Sequence, residues 1–236
     1  MIAAIFDIEG TLFSGQMGRG FITYARQHGR WARAQFYFLS LMPKYLAYKL
    51  GWLPAQPLFE DAIRRMAWLI GGYNRKQAEE AYRWVAQDYI LPSQHPAILK
   101  RWRDHQNQGH HTFIVSGGLE PCVAHIAHHL DADGFWGTKV EEHNGRLTGR
   151  ILPPVTIGED KRTGLEAMLK GKETKVDWPA SYAYADSMHD LPVLEMVGHP
   201  VAVFPDEALA HVAANRGWEI IHQTDLPGGS VDHVSG

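Results

Sequence analysis

The sequence predicts a doubly wound α/β fold: a mainly parallel sheet covered by helices on both faces, with a helical block inserted after its first strand. Three observations predict it. Short apolar runs alternate with segments of helical periodicity through residues 105–222. Several of those runs end directly on a polar residue or glycine, as buried parallel strands do where they open into loops. Between the first and second runs, residues 20–106 place aromatic and aliphatic residues at helical spacing, with Arg, Lys, Gln and Glu between them and no strong strand signal.

Residues 2–6 are a continuous apolar run, read as a buried strand that delivers Asp7 at its C-terminal end. Breaks at Pro43, 51–57, Gly71-Gly72 and 91–96 divide the helical block into roughly four helices. A β-prone run at 112–115 precedes Ser116-Gly117-Gly118, and 121–130 reads as a helix. Residues 138–151 read as a hairpin around the Asn144-Gly145 turn, because that pair readily takes the positive φ angles of a tight hairpin. A helix over 162–170 follows, then a strand over 181–185 leading to Asp186. After it come a helix over 191–197, a strand over 201–204, a helix over 207–215 and a final strand over 218–221. Residues 223–236 contain Pro, Gly-Gly and Ser without periodicity and are expected to be a flexible tail. The expected organisation is therefore a core formed by 1–13 and 105–222, an inserted helical domain over 14–104, and the tail.

The chain has 236 residues, 45% hydrophobic and 21% charged, enough to bury a core without disulfides or structural metals. Its single cysteine, Cys122, permits no intrachain disulfide and fits a reducing compartment. A formal net charge of −3 and the absence of a basic block argue against nucleic acid as the main partner. Residues 1–7 carry no Lys or Arg and are too short for a signal-peptide core. Pro43, Lys44 and Lys49 interrupt the most apolar stretch, 36–50, so no transmembrane segment is expected. These features together predict a soluble, cytoplasmic protein; they do not set the oligomeric state.

In open parallel sheets the ligand sits at the carboxyl ends of the strands. Asp7, Ser116 and Asp186 all follow expected strands, so they should meet at one sheet edge. Breaking a phosphate ester requires a nucleophile, countercharge for the phosphoryl oxygens, donors around them and an acid for the leaving group. Asp7 can attack phosphorus. Glu9 can protonate the leaving oxygen and then deprotonate water. Asp186 and Asp190, with Asp7, offer the hard oxygen ligands that Mg²⁺ prefers. Ser116 and the amides of Gly117 and Gly118 can donate to phosphoryl oxygens, and Lys161 can hold their charge. Each residue also has an ordinary reading: Asp7 can cap a turn, Lys161 can be a solvated lysine at a helix start, and Thr11 can donate to a phosphate or cap the next turn.

Asp7-Ile8-Glu9-Gly10-Thr11, Ser116-Gly117-Gly118, Lys161 and Asp186-Ser187-Met188-His189-Asp190 resemble, in order, the four motifs of the haloacid dehalogenase (HAD) superfamily. The likeness is to its phosphoserine-phosphatase-like branch, in which a helical cap lies between the first two motifs. Gly158-Glu159-Asp160-Lys161 after the hairpin, and Val201-Ala202-Val203-Phe204-Pro205-Asp206, are similar to that branch as well. The resemblance implies a Rossmann-like core and a phosphomonoesterase acting through an aspartyl-phosphate on Asp7. It implies Mg²⁺ held by Asp7, the Glu9 carbonyl and Asp186, with Asp190 in support, and phosphate bound by Gly10, Thr11, Ser116, Gly117 and Lys161. The expected substrate is a small or lipid-like phosphomonoester. A weakly catalytic phospho-ligand binder and a phosphotransferase with the same intermediate are the alternatives.

Two departures from the pattern stand out: Glu9 replaces the usual Asp, and residues 13–30 hold no acid to meet a phosphoserine ammonium. Arg64 and Arg65 in the cap, and His189, are candidate substrate contacts or solvated groups. His125, His128 and His129 at helical spacing are read as a solvated face in preference to a metal site, and Cys122 as structural. The cap aromatics Trp31, Phe36, Tyr37, Phe38, Tyr45, Tyr48, Trp52, Phe59 and Trp68 are read as the cap's own core, with an apolar pocket or a lipid-facing surface as the alternative.

Overall fold

Six parallel strands form one sheet in the order β3-β2-β1-β6-β7-β8, with β7 at His199–Val203 and β8 at Glu219–Ile221, as described by a computed structural model covering residues 1–170 and 175–223. The tail expected at 223–236 lies outside the described residues except for residue 223. The central strand β1 (Ala3–Phe6) is buried along its whole length, which is why its sequence is continuously apolar. It pairs with β2 (His111–Leu119) on one side and β6 (Tyr182–Ala185) on the other. Alternate residues of β1 face opposite layers. Phe6 stacks on Tyr184 with ring centroids 4.2 Å apart and packs on Trp102 of α5 (Pro96–Asn107). Ala3 and Ile5 join the second layer, where Leu165 of α7 (Glu159–Leu169) and Leu209 and Ala213 of α9 (Glu207–Arg216) close the core.

The inserted helices are α1 (Met17–Gln27), α2 (Trp31–Lys49), α3 (Ala55–Leu69) and α4 (Arg75–Trp84), the last continuing into a wider π turn over Val85–Ile90. Met17, Phe21, Ile63, Met66, Ala78 and Ala81 belong to the same apolar cluster as Phe6 and Ile114, so these helices share a core with one face of the sheet. Asn74 and Gln77 start α4 with a reciprocal capping box. Arg30 and Arg33 donate to the carbonyls of Trp68, Leu69 and Gly71 where α3 ends, placing positive charge at the negative end of that helix.

Several elements differ from expectation. Pro43 does not end α2. β2 runs on through Ser116-Gly117-Gly118, so Ser116 lies in the strand and not after it. β3 (Gly134–Thr138) is an edge strand without an apolar run to announce it, and the helix after Asp190 is a single turn, α8 (Leu191–Leu194). The hairpin β4 (Val140–His143) and β5 (Arg146–Ile151) turns at Asn144 and Gly145, both at positive φ. The cap aromatics are the main correction. Tyr37 is buried and Trp68 packs against the core, but Trp31, Phe36, Phe38, Tyr45, Tyr48, Trp52 and Phe59 are exposed. Their helical spacing is the same whichever way they face.

Candidate active site

β1 ends at Phe6, paired with Ile114 and Tyr184, so Asp7 emerges between the carboxyl ends of β2 and β6. Its N–H still donates to the Tyr184 carbonyl at 3.0 Å. The chain then turns tightly, with Gly10 N–H donating to Phe13 O (2.7 Å) and Phe13 N–H to Ile8 O (3.0 Å). Gly10 has φ +81°, and a Cβ there would overlap the Asp186 carboxylate. Glycine is thus needed twice, for the left-handed backbone and for the approach of Asp186.

Lys161, in the first turn of α7, is almost fully buried and bridges two carboxylates. Its Nζ donates to Asp7 Oδ1 at 2.7 Å and to Asp190 Oδ1. Asp190 closes the 3₁₀ turn after β6 and accepts from Ser187 Oγ at 3.1 Å through its other oxygen. Among the described residues, Asp7, Asp186 and Asp190 each offer a carboxylate oxygen within 4.8 Å of the others, a group that could hold a metal ion. Burial, with the charges of Asp7 and Asp190, pushes the Asp186 carboxyl up to about 8. Burial likewise raises Asp7 to about 6, against the pull of Lys161. Burial opposes charge on Lys161, but Asp190 and Asp7 hold it above the ordinary lysine range. With all three carboxylates ionised, the group beside one ammonium would carry a formal charge of −2 in a buried, all-oxygen donor set, a charge that burial resists. That is the environment of a hard divalent cation.

Glu9 points elsewhere. Its Oε1 accepts the N–H of Met17 at 2.9 Å, at the start of α1. Burial raises its carboxyl to about 7 although that hydrogen bond lowers it. Ser116 is buried and its Oγ accepts the Gly118 N–H at 3.2 Å. Thr11 is buried with its hydroxyl unpartnered, so it makes no cap. A Cβ on Gly118 would run into the Met17 thioether, and one on Gly117 would lie 3.2 Å from Ile63 Cδ1. These glycines admit the helices that fold over the sheet edge. Met17 and Ile63 are neighbours of the site that sequence reasoning missed, while the exposed Phe59, whose ring meets His189 edge-on at 4.6 Å, was named only among the cap aromatics. Their only signal was helical periodicity, which does not say what a helix covers.

The polar contacts of Arg64 and Arg65 lie within the α2–α3 hairpin. Arg64 lies 3.8 Å from Glu60, and Arg65 pairs with Asp61 and donates to Ser40 Oγ within the α2–α3 hairpin. His125 pairs with Glu79 at 2.9 Å, and Cys122 is buried with its thiol pushed up by burial.

The model of the haloacid dehalogenase-like hydrolases matches residues 4–195. The chain belongs to that family. A Neisseria meningitidis member named histidinol-phosphatase is 28% identical over 221 residues, 93% of this chain and 97% of its own. A phosphoserine phosphatase of Mycobacterium tuberculosis is 28% identical over 237 residues, 92% of this chain and 70% of its own. Among solved structures, a Bordetella pertussis protein of unknown function superimposes with a TM-score of 0.79 at 27% identity, covering 94% of this chain and 98% of that one. A substrate-bound phosphoserine phosphatase superimposes with a TM-score of 0.63 at 18% identity, covering 89% of each chain, a likeness of fold. In this fold Asp7 and Asp186 follow β1 and β6 directly, Ser116 lies within the last part of β2, and Lys161 lies in the first turn of α7.

Proposed function

We propose that this hydrolase is a magnesium-dependent phosphomonoesterase that passes the phosphoryl group of a small phosphate ester through Asp7 to water. The observation that carries the reading is the buried bridge of Lys161 between Asp7 and Asp190 beside Asp186. Asp7 attacks phosphorus, the bond from phosphorus to the ester oxygen breaks, and Glu9 gives its proton to the departing alkoxide. Glu9, now a carboxylate, takes a proton from water. That water attacks the aspartyl-phosphate, the bond from phosphorus to Asp7 breaks, and inorganic phosphate leaves. A carboxyl raised to about 7 suits a group that must give and then take a proton near neutrality. Lys161 keeps Asp7 ionised for attack. Asp7, Asp186, Asp190 and the Glu9 carbonyl would hold Mg²⁺, which supplies positive charge to the phosphoryl oxygens. Ser116 and Lys161 are the proposed phosphate ligands.

The substrate class follows from the surroundings. No acid lies in 13–30 to receive an amino-acid ammonium, and Met17, Ile63 and Phe59 present thioether, aliphatic and aromatic surface. Such a site suits an ester with an apolar or aromatic body. Histidinol phosphate, named by the Neisseria relative, is the first compound to test: it carries an ammonium as phosphoserine does, so its aromatic ring is the feature that would favour it here.

The test is phosphate release from an aryl phosphate, histidinol phosphate and phosphoserine, with magnesium and after EDTA. The expected result is magnesium-dependent turnover, faster on histidinol phosphate than on phosphoserine and abolished by Asp7→Asn. Absence of turnover across a broad panel of phosphomonoesters, or an appreciable rate in Asp7→Asn, overturns the reading.

A further inference from the structure

The outer face of the α2–α3 hairpin is apolar, and among the described residues nothing covers it. Leu39, Met42, Leu46 and Leu50 recur at helical spacing along it, beyond Phe36, whose ring packs on Trp68, and Trp52 stands at the turn between the helices. Leu39 is 72% exposed, Leu46 58% and Trp52 79%. From Met42 to Trp52 only Ala47 is even partly sheltered, so the end of α2 projects beyond the rest of the protein. Isolated exposed apolar residues are ordinary, but a contiguous row of this length marks an interaction surface.

Charge selects the partner. Residues 10–59 contain six Lys or Arg and no Asp or Glu, in a chain whose formal net charge is −3. The first acids after Glu9 are Glu60 and Asp61, and Asp61 is already held by Lys44 at 2.8 Å and by Arg65. Lys49 lies over the Tyr45 ring, and Arg26 over Phe38. A two-fold dimer through this face would set one basic segment against its copy. An anionic bilayer complements it: Leu, Met and Phe enter the acyl boundary, Trp and Tyr lie at the headgroups, and lysines reach outward along their apolar stems. Among the described residues no helix is long and apolar enough to cross a membrane, so the hairpin would lie on the surface.

We propose that the α2–α3 hairpin is a peripheral docking surface for anionic phospholipid bilayers. The hairpin also carries Ile63 and Phe59 to the sheet edge, so docking holds the helix that covers Gly117 and His189 at the membrane surface.

Flotation of the full chain with vesicles tests this. The chain is expected to float with phosphatidylcholine vesicles containing phosphatidylglycerol, to stay behind with phosphatidylcholine alone, and to release as salt rises. Leu46→Ser and Trp52→Ser should each weaken partition about tenfold, as expected for withholding one large apolar side chain from the interface. Their thermal melting should be unchanged, because both side chains are exposed. Absence of flotation with anionic vesicles overturns the proposal, as does undiminished flotation of the double variant. A concentration-dependent dimer in sedimentation, dissociated by the same substitutions, assigns the face to a second copy and overturns it too. None of these outcomes depends on phosphatase activity.

Discussion

Lys161→Met removes the buried cation of the site and leaves its oxygens in place. Lys161, Asp7 and Asp190 are each less than a tenth exposed, so the charges left behind cannot be screened by water. Breaking a buried pair by deleting one partner costs about 3–5 kcal/mol, because the other charge stays buried without compensation. At about 2–4 °C per kcal/mol for a chain of this size, the melting temperature in EDTA should fall by roughly 6–20 °C. The loss depends on pH with a definite sign. Asp186 and Asp7 already titrate higher in the fold than in the unfolded chain, and removal of Lys161 raises them further. The folded state then binds protons more readily than the unfolded state, so stability falls as pH rises. The deficit should be largest near pH 8, where Asp186 ionises, and should shrink toward pH 6. Magnesium should recover part of it at the higher pH by supplying the missing charge. Thermal melts in EDTA and in magnesium at both pH values measure this. A loss below about 1 kcal/mol in EDTA, the value of a solvent-screened pair, would refute the argument that Lys161 is the internal counterion of the acidic group.

Glu9→Gln keeps an oxygen for the Met17 N–H, so its stability should stay within about 1 kcal/mol of wild type, while kcat on an alkyl phosphate falls by about 10²–10⁴; a rate near wild type would remove Glu9 as the acid. Gly10→Ala forces a Cβ into a left-handed position against Asp186 and should both lower the melting temperature and weaken magnesium binding in calorimetry, whereas unchanged affinity would show that Asp186 moves without consequence. His105, bonded to Tyr184 Oη at 2.9 Å and His110 Nδ1 at 2.8 Å, is lowered to about 4 by burial and by His110. The unfolded chain therefore protonates first as pH falls, and His105 should subtract at most about 1 kcal/mol of stability per pH unit between about 6.5 and 4. Urea titrations of His105→Gln across that range should show a shallower acid loss than wild type, and equal slopes would exclude this histidine.

Much of the fold was legible in the sequence because the sheet is buried on both faces. β1, β6 and β7 (His199–Val203) announce themselves as apolar runs, and Asn144-Gly145 fixes the hairpin turn. β3 did not, because in Gly-Phe-Trp-Gly-Thr two glycines break up the strand-favouring Phe, Trp and Thr and leave no apolar run. It is held by tertiary contact, with Trp136 packed so closely on Gly164 of α7 that no Cβ fits there. Pro43 misled for the opposite reason. The donor it lacks would have served the Leu39 carbonyl on a face of α2 open to water, where water can satisfy that carbonyl, and the remaining cost of an internal proline, about 3 kcal/mol in all, does not stop α2 from continuing. At the site, Asp7, Lys161, Asp186 and Asp190 were legible because their strands and helix start could be placed. Met17 and Ile63 were not, because which helix covers two glycines is decided by packing between segments far apart in the chain.

Glu9 joins these two kinds of residue. An aspartate at this position would be one methylene shorter. Glu9 uses the extra length to reach the first amide of α1, an N–H without an intrahelical partner, where the helix dipole favours negative charge. Under the proposed reaction the same carboxyl is protonated before the leaving group departs and ionised afterwards. The amide bond to Met17 is stronger to the ionised form, since charge-assisted hydrogen bonds exceed neutral ones. The grip between the first-motif loop and the cap helix therefore tightens in the half of the cycle in which water must attack. Met17 is also the side chain that a Cβ on Gly118 would strike, so that grip is set against the second-motif strand as well. If Glu9 is the acid, its hydrogen bond from the Met17 N–H would tie the protonation state of that acid to the seating of α1.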